Sequence, residues 1–303
     1  MQHIEEAGVH SGDSSCVLPP YSITNEQFDI MVLYTKRLAK ALHVIGLLNI
    51  QFAIQSGKIY VLEVNPRASR TVPFVAKSTN VNLSQIAMRI MLGEKIKDIG
   101  VRDFSLSAKR VAIKESVFPF IKFPKASVFL GPEMRSTGEV MGIDSTFGKA
   151  IIKSRISSGN TLPLKGTVFI SLSDLEKTIR AAEIARGYTE LGFSLIATSG
   201  TADFLLQHGI SAEKVLKHYE GRPSIIDAMS EGKVHLVINT PIGENARYDE
   251  HIIGQTALKH KIPLFTTLAA AYASLSGIQE SITNEPEVKS LQEYFKKSLI
   301  PAA

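Results

Sequence analysis

From residue 167 onward short apolar runs alternate with amphipathic stretches, and this alternation restricts the fold more than any other feature. "TVFISL" reads as a buried strand, and "SDLEKTIRAAEIARGYTELG" as a helix opened by a Ser173–Glu176 capping box. "FSLIATSGT" is a strand running into a glycine-containing loop. "VHLVINTP" is a further strand, a helix follows near 247–260, and "IPLFTT" is the last strand. Strands alternating with helices form a parallel sheet covered on both faces, which makes this half a doubly wound α/β unit. The polar, poorly periodic "KSRISSGNTLPLKG" over 153–166 marks the expected boundary, with domains over 1–157 and 158–303.

The first half reads differently. Thr24 and Gln27 form a capping box, followed by a helix to about Val44 with Phe28, Met31, Leu38 and Leu42 on one stripe. "GLLNIQFAIQSGKIYVLEVNPR" is two β runs around a glycine turn. A three-residue loop, Ser56-Gly57-Lys58, sets Gln55 opposite Ile59 and gives one wholly apolar face: Ile50 against Val64, Phe52 against Leu62, Ile54 against Tyr60. The other face carries Asn49 against Asn65, Gln51 against Glu63 and Ala53 against Val61. A one-residue slip would mix the faces, so the pattern selects this register. Helix signals return near 82–93, and 107–140 reads as irregular or short-stranded.

Gln51, Glu63 and Asn65 thereby form a set of oxygen ligands on one rigid face. One carboxylate with two amides suits Mg²⁺ (or Mn²⁺) that also takes phosphate oxygens. Arg67 and Arg70 follow at once, placed for an anionic substrate or a transferring phosphoryl group. A solvated polar sheet face is the other reading of the same pattern.

Bulk properties exclude several classes. A net charge of +5 without a dense basic stretch argues against nucleic acid, and no apolar run reaches the roughly 18 residues that span a bilayer. The single cysteine, Cys16, rules out a disulfide framework and fits a reducing compartment. In the second half, three strand ends carry hydroxyls or amides: Thr198, Ser199, Gly200 and Thr201; Asn239 and Thr240; Thr266 and Thr267. Parallel sheets bind ligands beyond such ends, and Lys217 adds a positive charge. Simple N-capping is the competing explanation at each turn.

Three segments together, "EEAGVHSGDSS" at 5–15, "EVNPRASRTVPF" at 63–74 and "LGPEMRSTGEVMG" at 130–142, resemble the large chain of carbamoyl-phosphate synthase over nearly all of the sequence. The resemblance implies the distal part of an ATP-grasp half, an α+β subdomain cut at its N-terminal side, followed by a methylglyoxal-synthase-like regulatory domain. By position it implies ATP contacts from Gly8, Val9, His10, Ser11, Gln51 and Glu63. It implies metal ligation by Gln51, Glu63 and Asn65, and a role for Arg67 and Arg70 in phosphorylating carbamate. UMP and IMP would bind at the 198–201, Lys217 and 239–240 positions. Ornithine would bind between Glu5, Asp13, Glu115 and Thr266. A cytoplasmic ligase, a glutaminase small subunit as partner and a homo-oligomer are further implications. A piece lacking the phosphate-covering loop is expected to be inactive as a synthetase. Alternatives are a different ATP-grasp ligase, a stand-alone regulatory module, and a methylglyoxal-synthase-like lyase. The lyase needs a carboxylate base, for which Asp227, beyond Gly221-Arg222-Pro223, is the nearest acid.

Overall fold

A computed structural model describes residues 1–100, 110–120, 130–240 and 246–295. The elements begin with β1 (Gln2–His3), β2 (Cys16–Leu18), α1 (Asn25–Ala41), β3 (Asn49–Gln55) and β4 (Lys58–Asn65). They continue with α2 (Thr71–Thr79), α3 (Leu83–Met91), α4 (Ile96–Ile99), β5 (Val111–Val117), β6 (Gly138–Asp144) and α5 (Phe147–Ser157). Then come β7 (Thr167–Leu172), α6 (Ile179–Glu190), β8 (Ser194–Ala197), α7 (Ser199–Gln207), β9 (Glu213–Lys214) and α8 (Ile225–Ser230). Last are β10 (Leu236–Thr240), α9 (Ala246–Lys259), β11 (Leu264–Phe265), α10 (Leu268–Thr283) and α11 (Leu291–Phe295). The mixed α/β class expected from the sequence is the class observed.

The chain forms two compact units. The first draws its described residues from Met1–Gln2, Val17–Arg110 and Glu287–Ala303; the second comprises His3–Cys16 and Val111–Pro286. The expected 157/158 boundary therefore falls inside the second unit.

In the first unit, Thr24 and Gln27 make the expected reciprocal capping box on α1, which ends at Ala41 rather than Val44. The hairpin β3–β4 keeps three of the seven expected pairs. Asn49 faces Asn65, Ile50 faces Val64 and Gln51 faces Glu63. Between Gln51 and Phe52 the register shifts, and Gln55 pairs with Lys58, not Ile59. The loop has two residues, Ser56 and Gly57, with φ of 49° and 78°. Paired positive φ values match a hairpin's right-handed twist, which favours this tight turn over a three-residue loop. Leu62 is the extra residue, a bulge that absorbs the offset. Ala53 consequently faces Tyr60, and Phe52 faces Val61. Helix α2, with Pro73 in its first turn, adds an element that the sequence reading did not anticipate.

The second unit is organised by a parallel sheet of order β11-β10-β7-β8-β9. Phe169 and Val237 from adjacent strands pack with Ile225, Met229, Val234, Ile253 and Ala257. The Ser173 box does not form: Ser173 opens a 3₁₀ turn without a side-chain cap bond, and Thr178 caps α6 by accepting the Ala181 amide. Helix α5 occupies part of the stretch read as a linker. Thr146 caps it, and Ala150, Ile151 and Ile152 are buried. It packs on β6 and α10 at small residues: a Cβ at Gly148 would collide with the Ser276 carbonyl, and one at Gly277 would lie 3.0 Å from Ile151 Cγ2. Residues 107–109 and 121–129 of the stretch read as irregular lie outside the described residues; β5 and β6 form an antiparallel pair from the rest.

Candidate functional site

Three places carry the residues singled out by the sequence. The first is the polar face of the hairpin. Direct pairing of Gln51 with Glu63 and Asn49 with Asn65 puts all four on one face, since opposed residues on antiparallel strands share a side. Asn49 donates to Ser69 Oγ at 3.3 Å, tying the strand to the loop beyond β4. In that loop the Arg67 guanidinium is exposed and donates to the Ala68 carbonyl, while Arg70 precedes α2. Among the described residues no group of three or more His, Cys, Asp or Glu is arranged to hold a metal. The hairpin set, with one carboxylate and several amide oxygens, has instead the hard-donor chemistry that Mg²⁺ takes alongside phosphate.

The expected nucleotide loop, Gly8–Ser11, belongs to the second unit, whereas Gln51 and Glu63 belong to the first. Gly8 has φ 103°, and the His10 amide donates to the Gly131 carbonyl at 2.8 Å. His10 Nδ1 accepts the Gly12 amide at 3.0 Å, so only Nε2 is left for another partner. The sequence reading missed Lys114, whose fully buried ammonium donates to the Ser11 carbonyl at 3.2 Å and meets Glu139 at 3.4 Å. The signal was the shared parity of Lys114 and Ser116 in a strand; both point to the loop, Ser116 donating to Gly12 O at 2.8 Å.

The second place is a cavity of about 1170 Å³ within the second unit. Glu5, Asp13, Glu115 and Thr266 all line it. Glu6 is a fourth carboxylate on its wall, and the three singled out by the sequence are unequal. Asp13 accepts the Arg135 and Ser136 amides at 2.7 and 2.9 Å. Glu115 accepts from Ser15 Oγ at 3.0 Å and pairs with Arg155 at 3.1 Å. Glu5 receives no comparable bond among the described residues; burial first, then the Glu115 charge, pushes its carboxyl up to about 7 against the opposing pull of Arg155. Arg155 was not anticipated because α5 was not. Its guanidinium also stacks 4.9 Å from the Phe265 ring, joining β5 to the parallel sheet.

The third place is the carboxyl edge of that sheet. The chain leaves β7 toward β8 on one side and returns at β10 on the other, so the switch point lies between β7 and β10. Thr240 ends β10 there, 2% exposed, with no partner for its hydroxyl among the described residues; the neighbouring Ser173 hydroxyl is in the same position. Thr198 holds the N-cap position of α7 without a side-chain capping bond. Its hydroxyl donates to Thr201 Oγ1 at 3.2 Å, and Thr201 Oγ1 accepts the Leu172 amide at 3.0 Å. The amides of Ser199 and Gly200 thus open the helix without a side-chain cap. A Cβ at Gly200 would lie 3.2 Å from Lys177 Nζ, a cation missing from the sequence reading. Lys177 pairs with Asp174 at 2.6 Å; that bond, with Lys217's charge acting alike, holds the Asp174 carboxyl below its ordinary range. Lys217 donates to the Tyr219 hydroxyl at 3.3 Å. Asn239 is buried beside Ser171.

The third strand end does not join this group. β11 is the far edge of the sheet, and Thr267 caps α10 and donates to the Ile4 carbonyl at 3.2 Å. Asp227 is likewise engaged, accepting the Ser224 amide and hydroxyl at 2.8 and 2.9 Å in the α8 capping box. That leaves no free base for lyase chemistry at this position.

A two-stranded hairpin with a polar face in one unit and a five-stranded parallel sheet in the other define a mixed α/β protein. Residues 2–99 match the carbamoyl-phosphate synthase L chain, ATP binding domain, and 180–266 match the MGS-like domain. The sequence belongs to the carbamoyl phosphate synthase large-chain family and matches the C-terminal section of that family's proteins. It is 52% identical over 298 residues to the carbamoyl phosphate synthase large chain of Archaeoglobus fulgidus, 98% of this chain and 28% of the relative. It is 47% identical to that of Gemmatimonas aurantiaca over its whole length, again 28% of the relative. It is 44% identical to the carbamoyl phosphate synthase large chain, C-terminal section, of Aquifex aeolicus, with 97% of this chain and 58% of the relative covered. The protein thus spans about a quarter of the full-length relatives it matches. No helix among the described residues is long and apolar enough to cross a membrane.

Proposed function

We propose that this chain supplies part of an ATP-dependent carbamate-phosphorylating site together with its effector-binding region, acting within a complete glutamine-hydrolysing synthase that has a small glutaminase subunit. The observation that carries the reading is the direct pairing of Gln51 with Glu63 on the face that also holds Asn49 and Asn65. Glu63 brings the one negative charge; the amides add coordinating oxygens without repelling phosphate. A bound Mg²⁺ would neutralise phosphate charge during transfer. Arg67 and Arg70 would orient and hold the anionic carbamate. The cavity at Glu5, Asp13, Glu115 and Thr266 is read as the site of a cationic amino acid such as ornithine. The β7–β10 crevice, with Lys177, Lys217 and the α7 amides, is read as the site of a nucleoside monophosphate such as UMP or IMP.

Titration of the protein with Mn²⁺ and ATP, followed by the electron paramagnetic resonance of free Mn²⁺, tests the hairpin assignment. Binding should fall at least about tenfold in Glu63→Ala, the loss of one charged ligand contact of about 1.4 kcal/mol. Equal binding in both proteins removes the assignment. Calorimetry with UMP and IMP tests the crevice: Lys177→Ala should weaken binding by about tenfold, whereas Lys233→Ala, a surface ion-pair residue, should not.

Action as a regulatory module by itself is favoured by one feature: the residues read as effector contacts all belong to the second unit. Monophosphate binding without ATP turnover is the outcome it expects.

A further inference from the structure

A buried charge persists only where other groups answer it, and Lys114 is answered chiefly by backbone. Its side chain is 1% exposed on β5. The ammonium donates to the Ser11 carbonyl at 3.2 Å and the Gly12 carbonyl at 3.5 Å, and stands 3.4 Å from Glu139 on β6. That ion pair is long and Glu139 is partly exposed, so it is a weak reason to bury a lysine. The Gly12 carbonyl also accepts from Ser116 Oγ at 2.8 Å and Ser136 Oγ at 3.1 Å, whereas the Ser11 carbonyl has no other donor among the described residues.

The Ser11 carbonyl and the Gly12 amide are the two ends of one peptide group. Lys114 holds one end, and the other donates to His10 Nδ1 at 3.0 Å. A Cβ at Gly12 would lie 3.1 Å from that nitrogen, so ring and peptide are in close contact. A nitrogen that accepts carries no proton, which leaves the neutral ring's proton on Nε2. All these groups belong to the second unit.

We propose that Lys114 is a positioning residue: by holding the Ser11–Gly12 peptide it fixes His10 in the tautomer that offers Nε2–H, and the ring donates there to an acceptor atom of the bound nucleotide. This rests on the reading of Gly8–Ser11 as nucleotide contacts. Without the ammonium the Ser11 carbonyl loses its donor, and the peptide can turn because glycine tolerates many backbone orientations. The Gly12 amide then leaves Nδ1, and the ring exchanges between tautomers. Methionine at 114 keeps length and bulk while removing charge and donors; Glu139, partly exposed, is left solvated, so the fold survives while the loop loosens.

Ring ¹⁵N resonances of the 303-residue protein labelled in histidine, at about pH 8.5, where an ordinary imidazole is neutral, read the tautomer directly. The His10 signals, identified by their loss in His10→Gln, should show a protonated Nε2 and a bare Nδ1 in the wild type and averaged tautomers in Lys114→Met. Binding of ATP with Mn²⁺ should weaken by about tenfold in Lys114→Met, and Lys114→Arg, which keeps charge and donors, should restore part of it. A wild-type His10 protonated on Nδ1, or a wild-type tautomer retained in folded Lys114→Met, overturns the inference. Should Lys114→Met not fold, Lys114→Gln, too short to reach both carbonyls, takes its place with the same readouts. Failure of ATP to bind the wild type removes the nucleotide-loop reading instead, and the His10 resonances still decide whether Lys114 positions the ring.

Discussion

The two units handle their apolar residues in opposite ways. In the first, α1 buries no residue, Phe28 is 54% exposed and Leu62 in the hairpin 49%. In the second, Phe169 and Val237 are fully buried, and α5 and α10 meet at glycines. The candidate sites differ accordingly. The hairpin site is created by strand register, which places side chains precisely in the open. The cavity and crevice are created by depth, where desolvation shifts Glu5 and leaves the Thr240 hydroxyl without a partner among the described residues. Register alone suits a site that gathers a hydrated metal and phosphates; depth suits a site that selects a small ligand and responds to it.

This contrast can be broken most directly by matched truncations. Phe169→Ala should cost about 3–5 kcal/mol in denaturant unfolding, whereas Phe28→Ala should cost less than about 1 kcal/mol. Equal losses would erase the distinction. Next in size, Gly148→Val should destabilise by about 1–3 kcal/mol through overpacking against α10, read from the same transition.

A pH dependence sharpens the contrast, because it belongs to the second unit. Glu5 has a folded value near 7 against an ordinary 4.5, so the folded state binds the extra proton between those values. Its contribution to stability is complete below about 4.5 and is lost as pH rises through 7. His3, held down to about 4 chiefly by burial, gives the opposite slope between about 4 and 6.5. The difference between wild type and Glu5→Gln in thermal unfolding isolates the Glu5 part: the wild type's advantage should shrink as pH goes from about 5 to about 8. A difference that is flat with pH contradicts the buried-carboxyl picture. The smallest effect expected is in the hairpin turn, where Gly57→Ala at φ 78° should cost about 1 kcal/mol from backbone strain alone, since no atom lies within 4 Å of the added Cβ.

Much of the hairpin was legible beforehand. Alternation identified which residues share the polar face near Asn65, because one slipped residue would have inverted it. The turn end was not legible: both loop lengths leave the outer pairs intact once Leu62 bulges, and only backbone geometry chooses between them. Helix α5 was overlooked because its surroundings are polar and its buried side depends on α10, more than 100 residues later. Missing α5 meant missing Arg155, and with it the reason Glu115 and Glu5 differ.

By itself the sequence determined the element types, the parallel arrangement of the second half, the polar register of the hairpin and the family text that joins them. Those signals are local: caps, periods and turns act over a few residues, and each segment carries its own. Only the tertiary structure decided that Arg155 joins Glu5, Glu115 and Thr266 around one cavity, that Thr267 caps a helix instead of joining the crevice, and that Lys177 stands at the start of α7. Those outcomes depend on how distant segments exclude water together, and desolvation is a property of the closed fold that no short stretch of residues encodes.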